Sequence, residues 1–172
     1  YNINIEMLDH KYYMAAALKE AAKALKTGDI PVGAVAVLNG KIISRAHNEK
    51  EKRGDPTAHA ELLCLQKTVK KLKTWRLENV ELYSTLEPCT MCAGAMVLSR
   101  IKKLVYGASD PKAGAAGSIL NIIGNKKLNH RPAIVKGILK EECSVALKDF
   151  FRNLRRAKEK TPSPMAEKAR GT

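Results

Sequence analysis

The sequence predicts an α/β protein of three layers, in which helices cover both faces of a central mixed sheet of about five strands. Short apolar runs, typical of buried strands, alternate along the chain with amphipathic stretches of helical period. An Asn-Gly pair at positions 39 and 40 separates the first two runs, and this dipeptide is typical of a two-residue hairpin turn. The chain has 172 residues, of which 45% are hydrophobic, so it can bury one core of ordinary size.

The first half of the chain supplies a strand hairpin between two helices. The patterns predict, in order, a helix over 9–27, strands over 32–38 and 41–46, a polar loop over 47–55 and a helix that carries position 59. Gly28 ends the first helix, because glycine adopts the left-handed conformation that closes a helix at little cost. The Asp-Pro-Thr sequence at 55–57 is typical of a helix start and predicts that the next helix begins near His59. The apolar face of the first helix consists of Met14, Ala17, Leu18, Ala21 and Leu25.

The second half alternates strands with helices. The patterns predict, in order, a strand over 80–85, a helix over 88–99, strands over 103–107 and 133–139 and a helix over 141–160. Pro88 is typical of a first helical turn, where its missing amide hydrogen costs no hydrogen bond. A loop rich in small residues occupies 108–118. The last helix is amphipathic, and its predicted apolar anchors are Val145, Leu147, Phe150, Phe151 and Leu154.

The charge of the chain is strongly positive. Lysine and arginine number 31 against 17 acidic residues, which gives a formal net charge of +14. This excess favours a polyanionic partner such as RNA, although a lysine-rich surface without such a partner has the same composition. No apolar run reaches the roughly 18 residues that a membrane span needs, and the first residues lack the pattern of a signal peptide. Four cysteines in such a chain indicate a reducing compartment, so we expect a cytoplasmic protein.

Two cysteines and one histidine form a candidate metal site. Cys89 and Cys92 are three residues apart in the helix that follows Pro88, so their thiols face the same side. The positive end of the helix dipole favours thiolates, the form that binds metal. His59 lies at the start of the preceding helix, and successive helix starts can meet at the same edge of a sheet. One imidazole and two thiolates supply three protein ligands for a zinc ion.

Three protein ligands indicate catalytic zinc, because structural zinc is usually closed by four. Cys64 points about 140° away from His59 on a helix, so we expect Cys64 in the core. Cys143 belongs to the distant last helix and is expected to pack as a small hydrophobic residue. His47 and His130 lie in predicted loops, and the sequence leaves open whether either is a fourth ligand.

Glu61 follows the ligand His59 by two residues and is a candidate catalytic base. A zinc ion acidifies a bound water, and a base must then take the proton. Burial would raise the pKa of Glu61 toward neutrality, which suits a group that both accepts and returns a proton. A glutamate at a helix start is otherwise explained by the helix dipole. However, His-x-Glu followed by Pro-Cys-x-x-Cys is the signature of zinc-dependent nucleobase deaminases.

The sequence resembles the bacterial tRNA-specific adenosine deaminases from about residue 9 to residue 156. The resembling stretches read HNEKEKRGDPTAHAELLCL, TWRLENVELYSTLEPCTMCAGAMVLSRI, VYGASDPKAGAAGS, LNHR and FFRNLR. This resemblance implies the cytidine deaminase-like fold. It also implies a zinc-dependent nucleoside deaminase domain over 1–156. Residues 157–172 lie beyond the resemblance, and we expect them to form a basic and flexible tail.

The resemblance also implies an activity and its partners. The expected reaction is hydrolysis of adenosine to inosine at the wobble position of tRNA, mainly an arginine tRNA. One zinc ion per subunit would activate water, and Glu61 would shuttle the proton. The expected partner is the tRNA anticodon stem-loop, bound by a homodimer that needs no membrane.

Five further positions are implied to bind substrate. By resemblance, Asn48 would contact the flipped base, and the backbone amide near Ala60 would hold the six-position oxygen of the product. Asp110 would contact the sugar of the neighbouring nucleotide, while Phe151 and Arg152 would close over the extruded loop. Three of these side chains also have a simpler explanation: Asn48 as an ordinary loop residue, Asp110 as a turn cap, and Phe151 as part of the core.

Two other functions are compatible with the same motifs. A deaminase of free guanine, nucleosides or nucleotides would use the same zinc ligands and glutamate, but it would not need so large a positive charge. A non-catalytic RNA-binding module would hold the zinc as a structural ion and would therefore require a fourth protein ligand. Product analysis distinguishes the first alternative, and the number of ligands distinguishes the second.

Overall fold

The computed structural model describes residues 2–160 of the chain and the side chains of residues 7–159. Its helices and strands, in chain order, are α1 (Asn2–Ala24), β1 (Gly33–Leu38), β2 (Lys41–His47), α2 (Lys50–Arg53), α3 (Ala60–Leu72), β3 (Val80–Leu86), α4 (Thr90–Leu98), β4 (Lys103–Ala108), β5 (Ala133–Lys136) and α5 (Lys140–Lys160). No helix among them combines the length and the apolar character needed to cross a bilayer.

Within the described residues, five strands form one mixed sheet in the order β2-β1-β3-β4-β5. Strand β1 is antiparallel to both of its neighbours, whereas β3, β4 and β5 run parallel. Asn39 and Gly40 join β1 to β2 with φ angles of 49° and 73°, the pair of positive values that the predicted hairpin turn requires. The sheet and its flanking helices confirm the predicted three-layer α/β fold.

Alternating residues of the central strands face the two helical layers, so the core has two parts. The part covered by α1 and α5 contains, from the strands, Val35, Val37, Tyr83 and Val105. The part covered by α3 and α4 contains Ala34, Ala36, Leu82 and Leu104. Gly33 allows α1 to lie close against the sheet, because a Cβ atom there would be 2.1 Å from the carbonyl oxygen of Ala17. This packing fixes where each helix begins relative to the strand ends.

The ends of three predicted elements differ from the structure. The α-helical part of the first helix runs from Asn2 to Ala24, and a 3₁₀ turn then reaches Thr27 before Gly28 closes it at φ 75°. Leu25, predicted on the apolar face, lies in this tighter turn and is 52% exposed. The loop predicted over 47–55 contains α2, which is too short to show a periodic pattern. Strand β5 ends at Lys136 because the following Gly137 has a positive φ of 84°.

The last helix spans its predicted range, but its apolar anchors are only partly as predicted. Leu147 packs against the core, whereas Val145, Phe151 and Leu154 are 51%, 40% and 42% exposed. The prediction of those three as anchors was wrong, because each side chain is more than one-third exposed. The helix continues past the predicted domain boundary at residue 156. The predicted tail lies outside the described residues from position 161 onward.

Candidate metal and catalytic site

The three candidate ligands come from two helix starts at one edge of the sheet. His59 is the residue before α3, with extended backbone, and Cys89 occupies the same position before α4. Cys92 is the third residue of α4. Because α3 and α4 pack on the same face of the sheet, their first turns converge. The sequence predicted His59 and Cys89 within the first turn of their helices. In the structure each is instead the residue just before its helix begins.

The geometry of the ligand atoms fits a zinc ion. His59 Nδ1 lies 3.6 Å from Cys89 Sγ and 3.7 Å from Cys92 Sγ. A sulfur and a nitrogen bound to tetrahedral zinc, at about 2.3 Å and about 2.0 Å, lie about 3.5 Å from each other. Among the residues with described side chains, this is the one group of three or more His, Cys, Asp or Glu that could hold a metal. The imidazole and thiol donors also suit zinc chemically.

No described side chain completes the site as a fourth ligand. Cys64 is buried and lies 3.2 Å from the hydroxyl of Ser44. Cys143 is buried in the part of the core covered by α1 and α5. His47 lies between two glutamates, and His130 Nε2 is 2.8 Å from a backbone carbonyl. The alternatives that the sequence left open are therefore excluded for residues 7–159, and the site has the three-ligand form typical of catalytic zinc.

The electrostatics of the ligands favour a thiolate at Cys89. A hydrogen bond from the Cys92 thiol lowers the pKa of Cys89 to about 3, with a further contribution from His59, although partial burial opposes both. The same hydrogen bond, together with burial, raises the pKa of the Cys92 thiol. The hydrogen bond to Cys89 raises the pKa of His59. Cys89 is thus ready to act as a metal ligand at neutral pH.

Glu61 lies beside the candidate ligands and is almost completely shielded from solvent. It is the second residue of α3 and is only 4% exposed. Burial raises the pKa of Glu61 to about 7, and the nearby His59 and the hydrogen bond with Cys92 offset only part of this effect. A carboxyl group with such a pKa can both accept and donate a proton near neutral pH. The expected effect of burial on Glu61 is therefore found in the structure.

Asn48 and Ala60 lie close to the metal ligands along the chain and in space. Asn48 follows β2, is 6% exposed, and is followed by Glu49, whose amide donates a 3.0 Å hydrogen bond to Ala58. That bond holds the Asn48 segment against the residue that precedes His59. Among the described residues no hydrogen bond reaches the Asn48 side chain. Ala60 is fully buried and is the first residue of α3.

A groove of about 530 Å³ lies between the 108–118 loop and α5. Asp110 and Phe151 both line it, so the structure brings these two predicted residues together. Arg152 does not line the groove; it is exposed and pairs with Asp149 on its own helix. Arg155 lines the groove instead. Its spacing of four from Phe151 on one helix is the signal that could have identified it.

Glu87 is a buried charged residue that sequence reasoning missed. It is 1% exposed and lies between the end of β3 and Pro88. Burial raises the pKa of Glu87, but hydrogen bonds from Ser118 and from the backbone amides of the 108–118 loop lower it further than burial raises it. Its only sequence signal is a lone acidic residue at the end of an apolar strand.

Comparisons with known proteins agree with this site. A family model for MafB19-like deaminases matches residues 8–155. The tRNA-specific adenosine deaminase of Bacillus subtilis (strain 168) is 48% identical over 161 residues, which are 94% of this chain and 100% of that protein. The range matched by the family model includes all three candidate ligands and Glu61.

Two solved structures are similar to this fold. One comes from a study of A-to-I editing by tRNA:A34 deaminases at the wobble position of transfer RNA. It has a TM-score of 0.76 and 40% identity, covering 79% of this chain and 99% of that one. The other is a guanine deaminase from Bacillus subtilis, with a TM-score of 0.57 and 37% identity, covering 63% of this chain and 69% of that one. The sequence relative and the structure from the tRNA:A34 study show that the chain belongs to the tRNA-specific adenosine deaminases, and the family model shows that it is a MafB19-like deaminase.

Proposed function

We propose that this protein hydrolyses adenosine to inosine at the wobble position of tRNA, mainly of an arginine tRNA. The observation that carries the proposal is the placement of a buried Glu61 beside a three-ligand metal site. The ligands would be His59, Cys89 and Cys92, holding one zinc ion per subunit. Family membership supports the reaction and the tRNA substrate.

The zinc ion and Glu61 would each carry out part of the proposed reaction. Zinc, when bound, acidifies a water molecule and so provides a nucleophile at neutral pH. Glu61 accepts the proton, because its pKa of about 7 leaves part of the carboxyl ionised at neutral pH. Glu61 then returns a proton to the adenine ring and assists the departure of ammonia. The net reaction consumes one water, releases one ammonia and leaves Glu61 as it began.

Asn48 and Ala60 would orient the reacting base. The nearly buried Asn48 amide has both donors and an acceptor available to a flipped adenine. Ala60 begins the 13-residue helix α3, where backbone amides and the helix dipole favour a partial negative charge. We therefore assign to the amide near Ala60 the six-position oxygen of the product.

The neighbouring nucleotides would occupy the groove between Asp110 and Phe151. Arg152 would contact phosphate from the exposed face of α5, and Arg155 would do so from within the groove. The net charge of +14 supports a polyanionic substrate. We further propose that the protein is cytoplasmic and forms a homodimer. In the dimer, the second subunit would cover Leu98 at the end of α4, which is 76% exposed.

Product analysis tests the proposal directly. Zinc-loaded protein is incubated with an anticodon stem-loop that carries adenosine at the wobble position, and the nucleosides are separated after digestion. We expect inosine at that position alone. A matched stem-loop with the adenosine moved to another loop position serves as the control. Equal inosine at both positions would exclude wobble specificity, and no inosine from either would exclude the tRNA activity.

A deaminase of free guanine or of nucleosides and nucleotides is the second candidate. The similarity to a guanine deaminase of known structure favours it. That similarity has the lower TM-score and covers less of the chain than the similarity to the tRNA:A34 deaminase. Release of ammonia from free guanine, with no inosine in the stem-loop, would favour this candidate. A structural zinc in an RNA-binding module is disfavoured, because no described side chain supplies a fourth ligand.

A further inference from the structure

Glu87 is a buried carboxylate to which the proposed reaction assigns no task. It lies two residues before Cys89, but it does not belong to the group of metal ligands. Its side chain is 1% exposed, and no ion pair among the described residues includes it. A buried charge is costly unless hydrogen bonds replace the lost water. The contacts of this carboxylate therefore indicate what it does.

Four hydrogen-bond donors surround the carboxylate, two at each oxygen. Glu87 Oε1 accepts hydrogen bonds from the backbone amides of Ala116 and Ser118, each 3.0 Å long. Glu87 Oε2 accepts a 3.0 Å bond from the amide of Asp110 and a short bond from the hydroxyl of Ser118. Three of the four donors are backbone amides, which cannot accept a hydrogen bond, so an ionised carboxylate satisfies the whole set. A glutamine in this place would direct its NH₂ group against at least one of these amides, whichever way its side-chain amide is oriented.

These donors lie at both ends of the 110–118 loop, so one side chain closes it. The amide of Ala115 also donates a 2.8 Å bond to the carbonyl of Pro88, which fastens the loop to the segment leading into Cys89. Gly114 lies directly on the carboxylate, since a Cβ atom there would be 2.5 Å from Glu87 Cδ. The loop therefore packs tightly around the Glu87 carboxylate.

The loop so closed presents Asp110 to the groove. Asp110 Oδ1 accepts hydrogen bonds from the amides of Lys112 and Ala113, at 2.9 and 3.2 Å, which fixes its side-chain rotamer. Its other carboxylate oxygen has no hydrogen-bond partner among the described residues. Glu87 therefore fixes the backbone of Asp110, while the local turn leaves one Asp110 oxygen available in the groove.

We propose that Glu87 is a positioning residue, which holds the Asp110 loop in the shape that receives the nucleotide beside the reacting adenosine. It acts through Asp110 and does not contact the substrate. This inference rests on the proposed function, because it requires a substrate longer than a single nucleoside. It predicts that disturbing Glu87 weakens substrate binding and leaves the chemical step intact.

The test compares Glu87→Gln with the unchanged protein, both loaded with zinc, on the wobble-adenosine stem-loop. We expect KM to rise about 10- to 100-fold, because at least one buried backbone amide loses its acceptor, with kcat within about twofold. Glu78→Gln makes the same change at an exposed position and should alter neither constant. If the unchanged protein forms no inosine, the proposed function fails. If it forms inosine and KM of Glu87→Gln is unchanged, or kcat alone falls, the positioning role fails.

A double variant tests whether Glu87 acts through Asp110. If it does, Glu87→Gln combined with Asp110→Ala should raise KM no more than Asp110→Ala alone. Losses that multiply would contradict the inference, because independent structural damage is additive in free energy. Ser118→Ala removes one donor and provides a milder variant in case Glu87→Gln does not fold. We expect it to raise KM by about three- to tenfold, and an unchanged KM would overturn the proposal.

Discussion

The metal site and the substrate groove share an edge of the sheet but are built in different ways. The metal ligands come from two helix starts, with Cys89 and Cys92 only three residues apart and His59 at the beginning of α3. The groove depends on a loop that contains no helix or strand and on the exposed side of α5. Helix packing positions the candidate metal ligands, whereas a buried carboxylate, Glu87, holds the loop that lines the groove.

This difference predicts where substitutions should abolish activity and where they should only reduce it. In the proposed mechanism, loss of one metal ligand or of Glu61 would remove an indispensable part of the chemistry. The groove distributes its contacts over several side chains, so each contributes a fraction of the binding free energy. Changes at the metal site should therefore act mainly on kcat, and changes at the groove mainly on KM or Kd.

Removal of the metal should have the largest effect. A chelator should abolish inosine formation, because neither His59 nor the two cysteines can activate water alone. The midpoint of thermal unfolding should also fall, since the ion connects the starts of α3 and α4. Restoring zinc should restore both, and measurements of activity and unfolding on the same samples test this. Full activity in metal-free protein would contradict the three-ligand site.

Glu61→Gln should have the next largest effect. The amide retains the shape of the side chain but cannot accept a proton, so kcat should fall by about 10²- to 10⁴-fold. Zinc content and the Kd for the stem-loop should remain close to those of the unchanged protein. Single-turnover inosine formation, measured beside Glu78→Gln as the control, decides the matter. Normal turnover would show that another group moves the proton.

Phe151→Ala tests the groove itself. Phe151 is 40% exposed and lines the groove, so its loss should raise KM for the stem-loop at least about fivefold by removing a stacking surface. Its effect on kcat should be small. Val145→Ala on the same helix provides the control, because Val145 is 51% exposed and does not line the groove. Equal effects of the two variants would count against a binding role for the groove.

Substitution of one arginine should have the smallest effect, a change in how the stem-loop affinity depends on salt concentration. Arginine contacts with phosphate release counterions, so the logarithm of the stem-loop affinity should fall linearly with the logarithm of salt concentration. Arg155→Ala should reduce the slope by about one unit, whereas Lys70→Ala on α3, in the opposite helical layer, should leave it unchanged. A flat response in the unchanged protein would assign the positive charge to surface that does not bind RNA.

The same difference explains how much the sequence could predict. The hairpin at Asn39 and Gly40 and the ligand pair Cys89 and Cys92 depend on neighbours in the chain, so local patterns identify them. These short motifs, combined with the alternation of strands and helices, were enough to predict the fold and the grouping of His59, Cys89 and Cys92. The raised pKa of Glu61 also followed, because an acidic residue at the start of a buried helix must lose water.

The groove could not be predicted in the same way, because its contacts join distant parts of the chain. Glu87 meets donors 23 to 31 residues further along, and no spacing rule connects them. The choice between Arg152 and Arg155 requires knowledge of which side of α5 faces the 108–118 loop. Phe151 was assigned to both the core and the substrate for the same reason. Such contacts become visible only when the sheet has placed the loop and the helix together.

We propose that a metal held by one imidazole and two thiolates keeps a position open beside Glu61. A crystal structure of the zinc-loaded protein is the most direct test. We expect zinc on His59, Cys89 and Cys92, with its fourth position open to solvent and within hydrogen-bond reach of the Glu61 carboxyl. A fourth side chain bound to the metal, or a Glu61 carboxyl directed away from that position, would contradict it.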